Sequence, residues 1–306
     1  MALKDLIRLG VSLPHRSPDA LSPAMVQAAA QRAEALGFAD LWVTENTLDH
    51  VFSFDPVVVL TWAAAVTTRI GLGVSVVVLP VRHPAHVAHQ WASLDYLSGG
   101  RAILGLGLGR DQHYARFQVP PGHRVRRFVE GVALIRALWS GEAVDYRGAI
   151  FRFAGGPMQP SPVQRRSPPI WLGVGHPDAL RRAARIADGW MGSGGSTITA
   201  FAQAVPMLRA ALQQAGRDPA DYPISKRVFI AVDERPTAAR AELDRWFTTV
   251  YRDPAGADAS GIHGTPEHVA ERLQELVAMG ANHLLLNPVS RHLEQLEAVA
   301  AVAGLG

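Results

Sequence analysis

Alternating glycines at the end of an apolar run are the residues in this chain that most suggest chemistry. The segment Ala102–Arg110 reads AILGLGLGR and follows a strand, a helix and a Ser-Gly-Gly-Arg turn that begin at Arg69. Because glycine has no Cβ, alternate glycines at the carboxyl end of a strand let a flat ligand or a phosphate approach the backbone. Tight packing inside a barrel would use the same residues. The pattern alone therefore leaves a ligand role and a packing role open.

Two further glycine-rich loops have the composition of phosphate sites. Residues 173–178 read GVGHPD at the start of a predicted helix, and residues 192–196 read GSGGS. Free backbone N–H groups and the helix dipole attract anions at a helix start. Two such loops side by side suit a cofactor that carries a phosphate, although an ordinary turn with an Asp or Ser cap has the same residues.

Histidines are numerous near the predicted strand ends, but their spacing is not that of a metal site. They are His15, His50, His83, His86, His89, His113 and His176. No H-E-x-x-H or comparable frame is present, so no metal is predicted, and His86 and His89 are expected to pack or to cap a helix. The chain also has no G-x-S-x-G motif, which argues against a hydrolase with a serine triad.

The elements that must position these residues alternate along the whole chain. Apolar runs predict eight strands: Leu6–Ser12, Asp40–Thr44, Ile70–Val78, Ala102–Gly107, Pro169–Gly173, Gly189–Gly192, Lys226–Val232 and His283–Asn287. Helices are predicted over Pro23–Leu36, Pro56–Thr67, Pro84–Leu97, Arg124–Trp139, Pro177–Ala187, Ile198–Gln214, Thr237–Val250, Pro266–Met279 and Arg291–Ala303. Ser22, Asp55 and Thr265 precede prolines as helix caps, and Gly37 and Gly280 end helices.

This alternation predicts an α/β fold, a (β/α)8 barrel, in preference to an open doubly wound sheet. Residues 1–306 are expected to form a single domain. The Gly- and Pro-rich segment 140–167 is predicted to be an insertion between the fourth helix and the fifth strand that covers the carboxyl face of the barrel. In such a barrel the active site lies at the carboxyl ends of the strands.

Composition narrows the classes of function. The absence of Cys excludes disulfides, thiol catalysis and thiolate metal sites. The chain has 30 Lys and Arg against 27 Asp and Glu without a continuous basic run, so nucleic-acid binding is not expected. No apolar stretch approaches the length of a membrane span, and residues 1–14 are interpreted as a first strand and not as a signal peptide. A cytoplasmic protein with a small-molecule substrate is predicted.

Five segments make the sequence resemble the bacterial luciferase-like superfamily of flavin- and deazaflavin-dependent oxidoreductases. They are AEALGFADLWVTEN (33–46), TTRIGLGVSVVVLP (67–80), RHPAHVAHQ (82–90), LDYLSGGR (94–101) and AARIADGW (183–190). The resemblance implies the barrel, an insertion over its active face and a homodimer. It also implies a cis peptide bond after the third strand, at Ser75-Val76, which bulges against the central ring of the flavin.

The subfamily is indicated by LSGGRAILGLGLGR and by the block PxPVQxxxPPIWLG, which are similar to members that use coenzyme F420. In those members an acidic residue and then His close the second strand, whereas this chain has Glu45-Asn46. Asn cannot donate a proton as His can, so His50, His15 or His113 is the candidate substitute. Sugar-phosphate dehydrogenases of the family carry a carboxylate where this chain has Arg110, which argues against oxidation of a sugar phosphate.

The lead hypothesis is hydride transfer between F420 and a small organic substrate. The catalytic candidates are Asn46, His50, Arg110 and His15, and Arg110 would hold a carboxylate or carbonyl of the substrate. The candidate cofactor contacts are Glu45, Ser75, Val76, Gly107, Leu108, Gly109, His113, Gly175 and His176, with the last two near its phosphate. An FMN-dependent monooxygenase supplied by a flavin reductase is the second hypothesis. A barrel that binds flavin without catalysis is the third.

Overall fold

The eight predicted strands close into a parallel barrel. A computed structural model describes residues 2–165 and 167–306; Met1 and Arg166, which fall in the predicted domain and insertion, lie outside the described residues. The barrel strands are β1 (Arg8–Ser12), β2 (Asp40–Val43), β3 (Gly71–Val74), β4 (Ala102–Gly107), β5 (Ile170–Leu172), β6 (Gly189–Gly192), β7 (Ile224–Val232) and β8 (His283–Pro288). Each strand pairs with the next and β8 pairs with β1, which confirms the predicted (β/α)8 fold.

The helices lie outside this barrel, and those that begin at Pro23, Pro56 and Pro266 follow the predicted caps Ser22, Asp55 and Thr265. The helices Asp111–Arg116 and Gly256–Ser260 were not predicted. They are α1 (Pro23–Leu36), α2 (Pro56–Val66), α3 (Pro84–Ser98), α4 (Asp111–Arg116), α5 (Arg124–Leu138), α6 (Pro177–Ile186), α7 (Ile198–Gln214), α8 (Pro236–Trp246), α9 (Gly256–Ser260), α10 (Pro266–Ala278) and α11 (His292–Ala303). Ser22 accepts a hydrogen bond from the Met25 N–H at 3.2 Å, and Gly37 ends α1 at φ 89°. In the described part of the chain, none of these helices is long and apolar enough to cross a bilayer.

Two buried layers follow from the alternation of side chains along each strand. Outward residues such as Val228 and Leu286 join the large core between strands and helices. Leu285 points inward and belongs to a separate cluster with Trp42, Ile103, Trp171 and Met191. This inner cluster packs inside the barrel below the carboxyl ends of the strands, where the active site of such a barrel lies. Burial of each large apolar side chain contributes about 1.5–3 kcal/mol to stability.

The third strand departs from the single run predicted over Ile70–Val78. β3 ends at Val74, and the short strand Val77–Val78 resumes the pairing with β4. Gly73 lies opposite Ile103, and Val77 lies opposite Leu106. The chain from Gly73 to Val77 advances four residues while β4 advances three, so the third strand has one extra residue. The extra residue makes a β-bulge. The Ser75–Val76 peptide bond inside the bulge is cis, as the resemblance predicts.

The segment 140–167 lies against helices, which corrects the expectation that it covers the carboxyl face. Val144–Arg147 and Arg152–Gly155 pair as an antiparallel hairpin. Three backbone N–H groups at the hairpin turn donate to the Glu130 carboxylate of α5. Further along, Val163 and Gln164 donate to Asp95 of α3. These carboxylates satisfy backbone groups that would otherwise lack partners, and they hold the segment on the outer side of the barrel.

The chain after β7 also differs from the prediction. The helix predicted over Thr237–Val250 ends at Trp246, and Phe247–Tyr251 form a π-helical turn. The helix α9 and a short strand, Gly261–Gly264, then follow, and the strand pairs with the upper half of β7. The π-helical turn lies beside the ends of β1 and β2, as the contacts described below show.

Candidate active site

Val76 fills the space that glycines of β4 and of the β5 end leave open. A Cβ at Gly107 would lie 2.6 Å from Val76 Cγ2, and one at Gly173 would lie 2.8 Å from Val76 Cγ1. A Cβ at Gly105 would lie 2.0 Å from the carbonyl oxygen of Val74. These distances are too short for real contacts, so the bulge requires the glycines. Packing therefore accounts for this part of the glycine pattern, and contact of Gly107 with a ligand stays a prediction.

Glu45 ties the end of β2 to the chain beyond the bulge. One carboxylate oxygen accepts the Val78 N–H at 2.7 Å, and the other accepts Arg82 Nε at 2.9 Å. The side chain is 4% exposed. Because both oxygens have partners within the protein, Glu45 fixes the bulge in place. Its predicted hydrogen bond to a cofactor ring remains a prediction.

His15, Thr44 and Asn46 form a hydrogen-bonded chain at the ends of β1 and β2. The Thr44 N–H donates to His15 Nε2 at 2.9 Å, so Nε2 carries no proton and Nδ1–H donates to Leu13 O at 2.7 Å. Burial lowers the pKa of His15 to about 3. Asn46 Nδ2 donates to Thr44 Oγ1 at 2.6 Å. This geometry makes His15 a neutral group that orients Asn46, and it disfavours His15 as a proton donor.

His50 and Arg16 link the strand ends to the π-helical turn 247–251. His50 Nε2 lies 3.0 Å from Thr249 O, and Nδ1 lies 2.9 Å from the Asp49 carboxylate. Arg16 donates to Asp49 at 2.6 Å and to Val250 O at 3.4 Å. Both ring nitrogens of His50 therefore face acceptors of the protein itself. The turn is held over one side of the mouth by these contacts.

The residues after β4 flank the mouth on another side. Gly109 has φ 72°, and a Cβ there would lie 2.4 Å from Val78. The Leu108 carbonyl accepts the Tyr114 hydroxyl at 2.7 Å. His113 Nδ1 accepts the backbone N–H of Arg110 at 2.9 Å, which leaves Nε2 without a partner among residues 2–165 and 167–306. The Arg110 side chain is exposed and forms no ion pair in that same part of the chain.

The loop before α6 offers backbone donors. The N–H groups of Val174, Gly175 and His176 have no acceptor within the described residues, and a Cβ at Gly175 would meet no atom within 4 Å. His176 caps α6 by accepting the Asp178 N–H at 3.2 Å. Asp178 itself is paired with Arg181. Among the described residues the loop therefore has three neighbouring donors without an acceptor, and the space at Gly175 is open, as an anion site requires.

Lys226 binds the GSGGS loop, residues 192–196. Its ammonium nitrogen contacts Ser193 O, and it lies 2.7 Å from Ser196 O and 3.0 Å from Ser196 Oγ. Burial lowers the pKa of Lys226 to about 7. Three oxygen acceptors match the three donors of an ammonium group, so they oppose that shift. The loop is thus anchored by a residue that the sequence analysis did not single out.

Arg227 is a second charged residue at this end of the barrel that the sequence analysis did not single out. It is 8% exposed, and strand alternation places it on the inner side of β7. Its Nε donates to Asn287 Oδ1 at 3.0 Å, and Nη2 donates to the same oxygen. Its guanidinium lies 4.8 Å from the ring centroid of Phe229. Two consecutive basic residues in a predicted strand were the available signal.

A serine, a histidine and an aspartate do meet, but at the amino end of the barrel. Ser225 Oγ lies 2.7 Å from His283 Nδ1, and His283 Nε2 lies 2.9 Å from Asp40. Burial alone would raise the pKa of Asp40, but His283 and the Trp42 N–H hold it below its usual value. Residues at this end of a barrel serve stability. Among the described residues, no cluster of three or more His, Cys, Asp or Glu has the arrangement of a metal site.

Comparison with known proteins places the chain in a family. The luciferase-like monooxygenase family matches residues 7–261. The chain is 30% identical to an F420-dependent glucose-6-phosphate dehydrogenase of Kineococcus radiotolerans over 75% of this chain and 70% of that protein. It is 33% identical to an F420-dependent hydroxymycolic acid dehydrogenase of Mycobacterium tuberculosis, over 71% of this chain and 61% of that protein.

A solved structure agrees with the fold. The monooxygenase RslO1 of Streptomyces bottropensis superposes with a TM-score of 0.84 at 24% identity, over 97% of this chain and 98% of that one. The structure is a closed barrel with a bulged third strand. Because the family model matches most of its length, the chain belongs to the luciferase-like monooxygenase family.

Proposed function

We propose that the protein is an oxidoreductase that uses coenzyme F420 to transfer a hydride to or from a small organic substrate. The observation that carries the proposal is the bulge at Val76, which presents a side chain braced by Gly107 and Gly173 at the mouth of the barrel. The F420-dependent relatives support this choice of cofactor. When bound, F420 supplies a carbon centre that gives or accepts a hydride.

The residues present fit such a cofactor. Ser75 and Val76 would support a flat ring, and Gly107, Leu108 and Gly109 would line its edge. The N–H groups of Val174, Gly175 and His176, which have no acceptor within residues 2–165 and 167–306, would hold its phosphate. Open space in front of Gly175 leaves room for that group. Glu45 would act by holding the bulge, because its oxygens are already bonded to the protein.

His113 is the histidine best placed to move a proton. Its Nδ1 accepts the Arg110 N–H, so in the neutral ring Nε2 carries the proton. The corresponding nitrogen of His15 accepts from Thr44, and both nitrogens of His50 face protein acceptors. Asn46 would hydrogen-bond the substrate or the ring without donating a proton to it. We do not assign glucose 6-phosphate as substrate, because Arg110 stands where sugar-phosphate enzymes are expected to carry a carboxylate.

An FMN-dependent monooxygenase is the second candidate. The observation that favours it is Asn46, which stands where the F420 pattern has a histidine. A flavin reductase would then be a partner.

Under either proposal the protein would work in the cytoplasm as a homodimer. The apolar face for the dimer would be formed by Val58 and Trp62, which lie one turn apart on α2 and are 67% and 47% exposed.

Paired equilibrium titrations with F420 and with FMN, followed by fluorescence, test the proposal. We expect F420 to bind and FMN to be excluded. Val76→Asp should weaken the binding of F420 by about tenfold or more, because it places a charge against an apolar ring face of the cofactor. Val163→Asp is the control, since Val163 is 48% exposed on the outer segment.

Each other outcome has a defined meaning. Binding of FMN in place of F420 would overturn the lead proposal and direct the search to oxygen consumption with a flavin reductase. Binding of neither would favour a barrel without the activity of its relatives. Equal losses in both aspartate variants would show that the bulge has no special role.

A further inference from the structure

The upper end of the barrel contains a buried guanidinium with no carboxylate partner. Arg227 is 8% exposed, and in the described part of the chain no Asp or Glu oxygen lies within 4.0 Å of its nitrogens. Its contacts are the neutral Asn287, the ring of Phe229 and the hydroxyl of Tyr251. A buried charge without a counter-charge is unfavourable by several kcal/mol, so a residue of this kind calls for a ligand or a structural reason.

The charged groups around Arg227 do not supply the missing negative charge. Arg16 is close and adds to the positive potential, and burial lowers the pKa of Arg227 while the nearby Tyr251 raises it. The Asp49 carboxylate lies on this side of the mouth, but Arg16 and His50 already bind it. His15 is neutral. The region therefore keeps an excess of positive charge in the absence of a ligand.

The position of Arg227 suits a substrate. In a closed ring of eight strands, β3 and β7 are four strands apart and hence face each other across the barrel. A flat ring supported on the Val76 bulge would turn its free face towards β7. A substrate stacked on that face would therefore lie between the ring and Arg227. The donors at Val174, Gly175 and His176 belong to the β5 end, two strands away from β7.

We propose that Arg227 binds an anionic carboxylate of the substrate, with Asn287 as the residue that positions the guanidinium. Asn287 Oδ1 accepts from Nε and from one hydrogen of Nη2. Nη1 and the second Nη2 hydrogen, beside the Tyr251 hydroxyl, remain to form a fork on a carboxylate. The substrate class is thus an oxo acid or a hydroxy acid and not a neutral ketone or alcohol. This inference rests on the proposed function for the reaction, but the anion site itself does not require F420.

Calorimetric titration of the protein without cofactor tests the site directly. The probes are phenylpyruvate and benzoate, each compared with its neutral primary amide. We expect the acids to bind and the amides not to bind. Arg227→Met should weaken the affinity for both acids by about tenfold or more, because a charge-assisted pair of hydrogen bonds is lost. Arg152→Met, at an exposed guanidinium of the outer hairpin, is the matched control and should change the affinity by less than about threefold. Arg110→Met tests the rival assignment of the carboxylate to Arg110.

Thermal unfolding of Arg227→Met gives a readout independent of the probes. We expect benzoate to raise the melting temperature of the wild type and not that of Arg227→Met. A variant that unfolds at room temperature would be replaced by Arg227→Lys, which keeps the charge and loses the fork, with the same expected loss of acid binding.

Several results would overturn the proposal. They are acids that bind wild type and Arg227→Met equally, no binding of either acid at about 50 mM, loss of binding in Arg110→Met alone, or inorganic phosphate that binds at Arg227 more tightly than the acids. The F420 titration is separate: if it fails while benzoate binds, the proposed function falls and the anion site stands.

Discussion

A single methyl group added at Gly107 tests the packing that shapes the site. Gly107 has no positive φ, so its backbone tolerates alanine. The new Cβ would lie 2.6 Å from Val76 Cγ2, whereas carbon atoms in contact settle near about 3.5–4.0 Å. One of the two residues must therefore move by about 1 Å. Overpacking of this kind costs about 1–3 kcal/mol of the free energy of unfolding.

A double-mutant cycle separates this clash from other effects. Val76→Ala removes both Cγ atoms of a half-buried side chain and should cost about 1 kcal/mol. With those atoms absent, Gly107→Ala should add little, so the two changes together should cost less than their sum by about 1–2 kcal/mol. Urea unfolding followed by tryptophan fluorescence measures each free energy.

Gly122→Ala is the matched control, because a Cβ there would meet no atom within 4 Å. It should leave stability unchanged or raise it by about 0.4–1 kcal/mol. Additive losses in the cycle, or a Gly107→Ala variant as stable as the Gly122→Ala variant, would refute the view that Val76 and Gly107 share one space.

Two further predictions concern a buried charge and an exposed face. Burial lowers the pKa of Lys226 to about 7 from 10.5, so the unfolded chain binds more protons in that window and the free energy of unfolding should rise with pH from about 7 to 10.5. The difference between the stability curves of wild type and Lys226→Met isolates this slope, and parallel curves would contradict it. Trp62→Glu should convert a homodimer to monomer in sedimentation equilibrium; a wild-type monomer, or a dimer that survives the change, would exclude this interface.

The sequence predicts the architecture well where the deciding interactions are local. Ser22 and Thr265 cap their helices through bonds to residues three positions on, and such signals can be read from a short window. The cis bond at Ser75-Val76 was implied by the family resemblance and is present. Local signals and the family resemblance together therefore predict the barrel and the position of its bulge.

The remaining features depend on contacts that are distant in the chain. The apolar run over Ile70–Val78 hides the extra residue of the bulge, because only the register against β4 shows it. The helix after β7 ends early at Trp246, which periodicity does not indicate. Arg227 could have been noticed as a charge inside a strand. Only the folded structure shows that no carboxylate among the described residues pairs with it.

The links that hold the mouth together have an evolutionary consequence. Arg16 and His50 bind the carbonyl oxygens of Val250 and Thr249, and Arg116 binds that of Leu48 at 2.8 Å. A carbonyl oxygen is present whatever side chain its residue carries. The receiving loops can therefore change their side chains, and so adapt to new substrates, while the same three basic residues keep the loops in place.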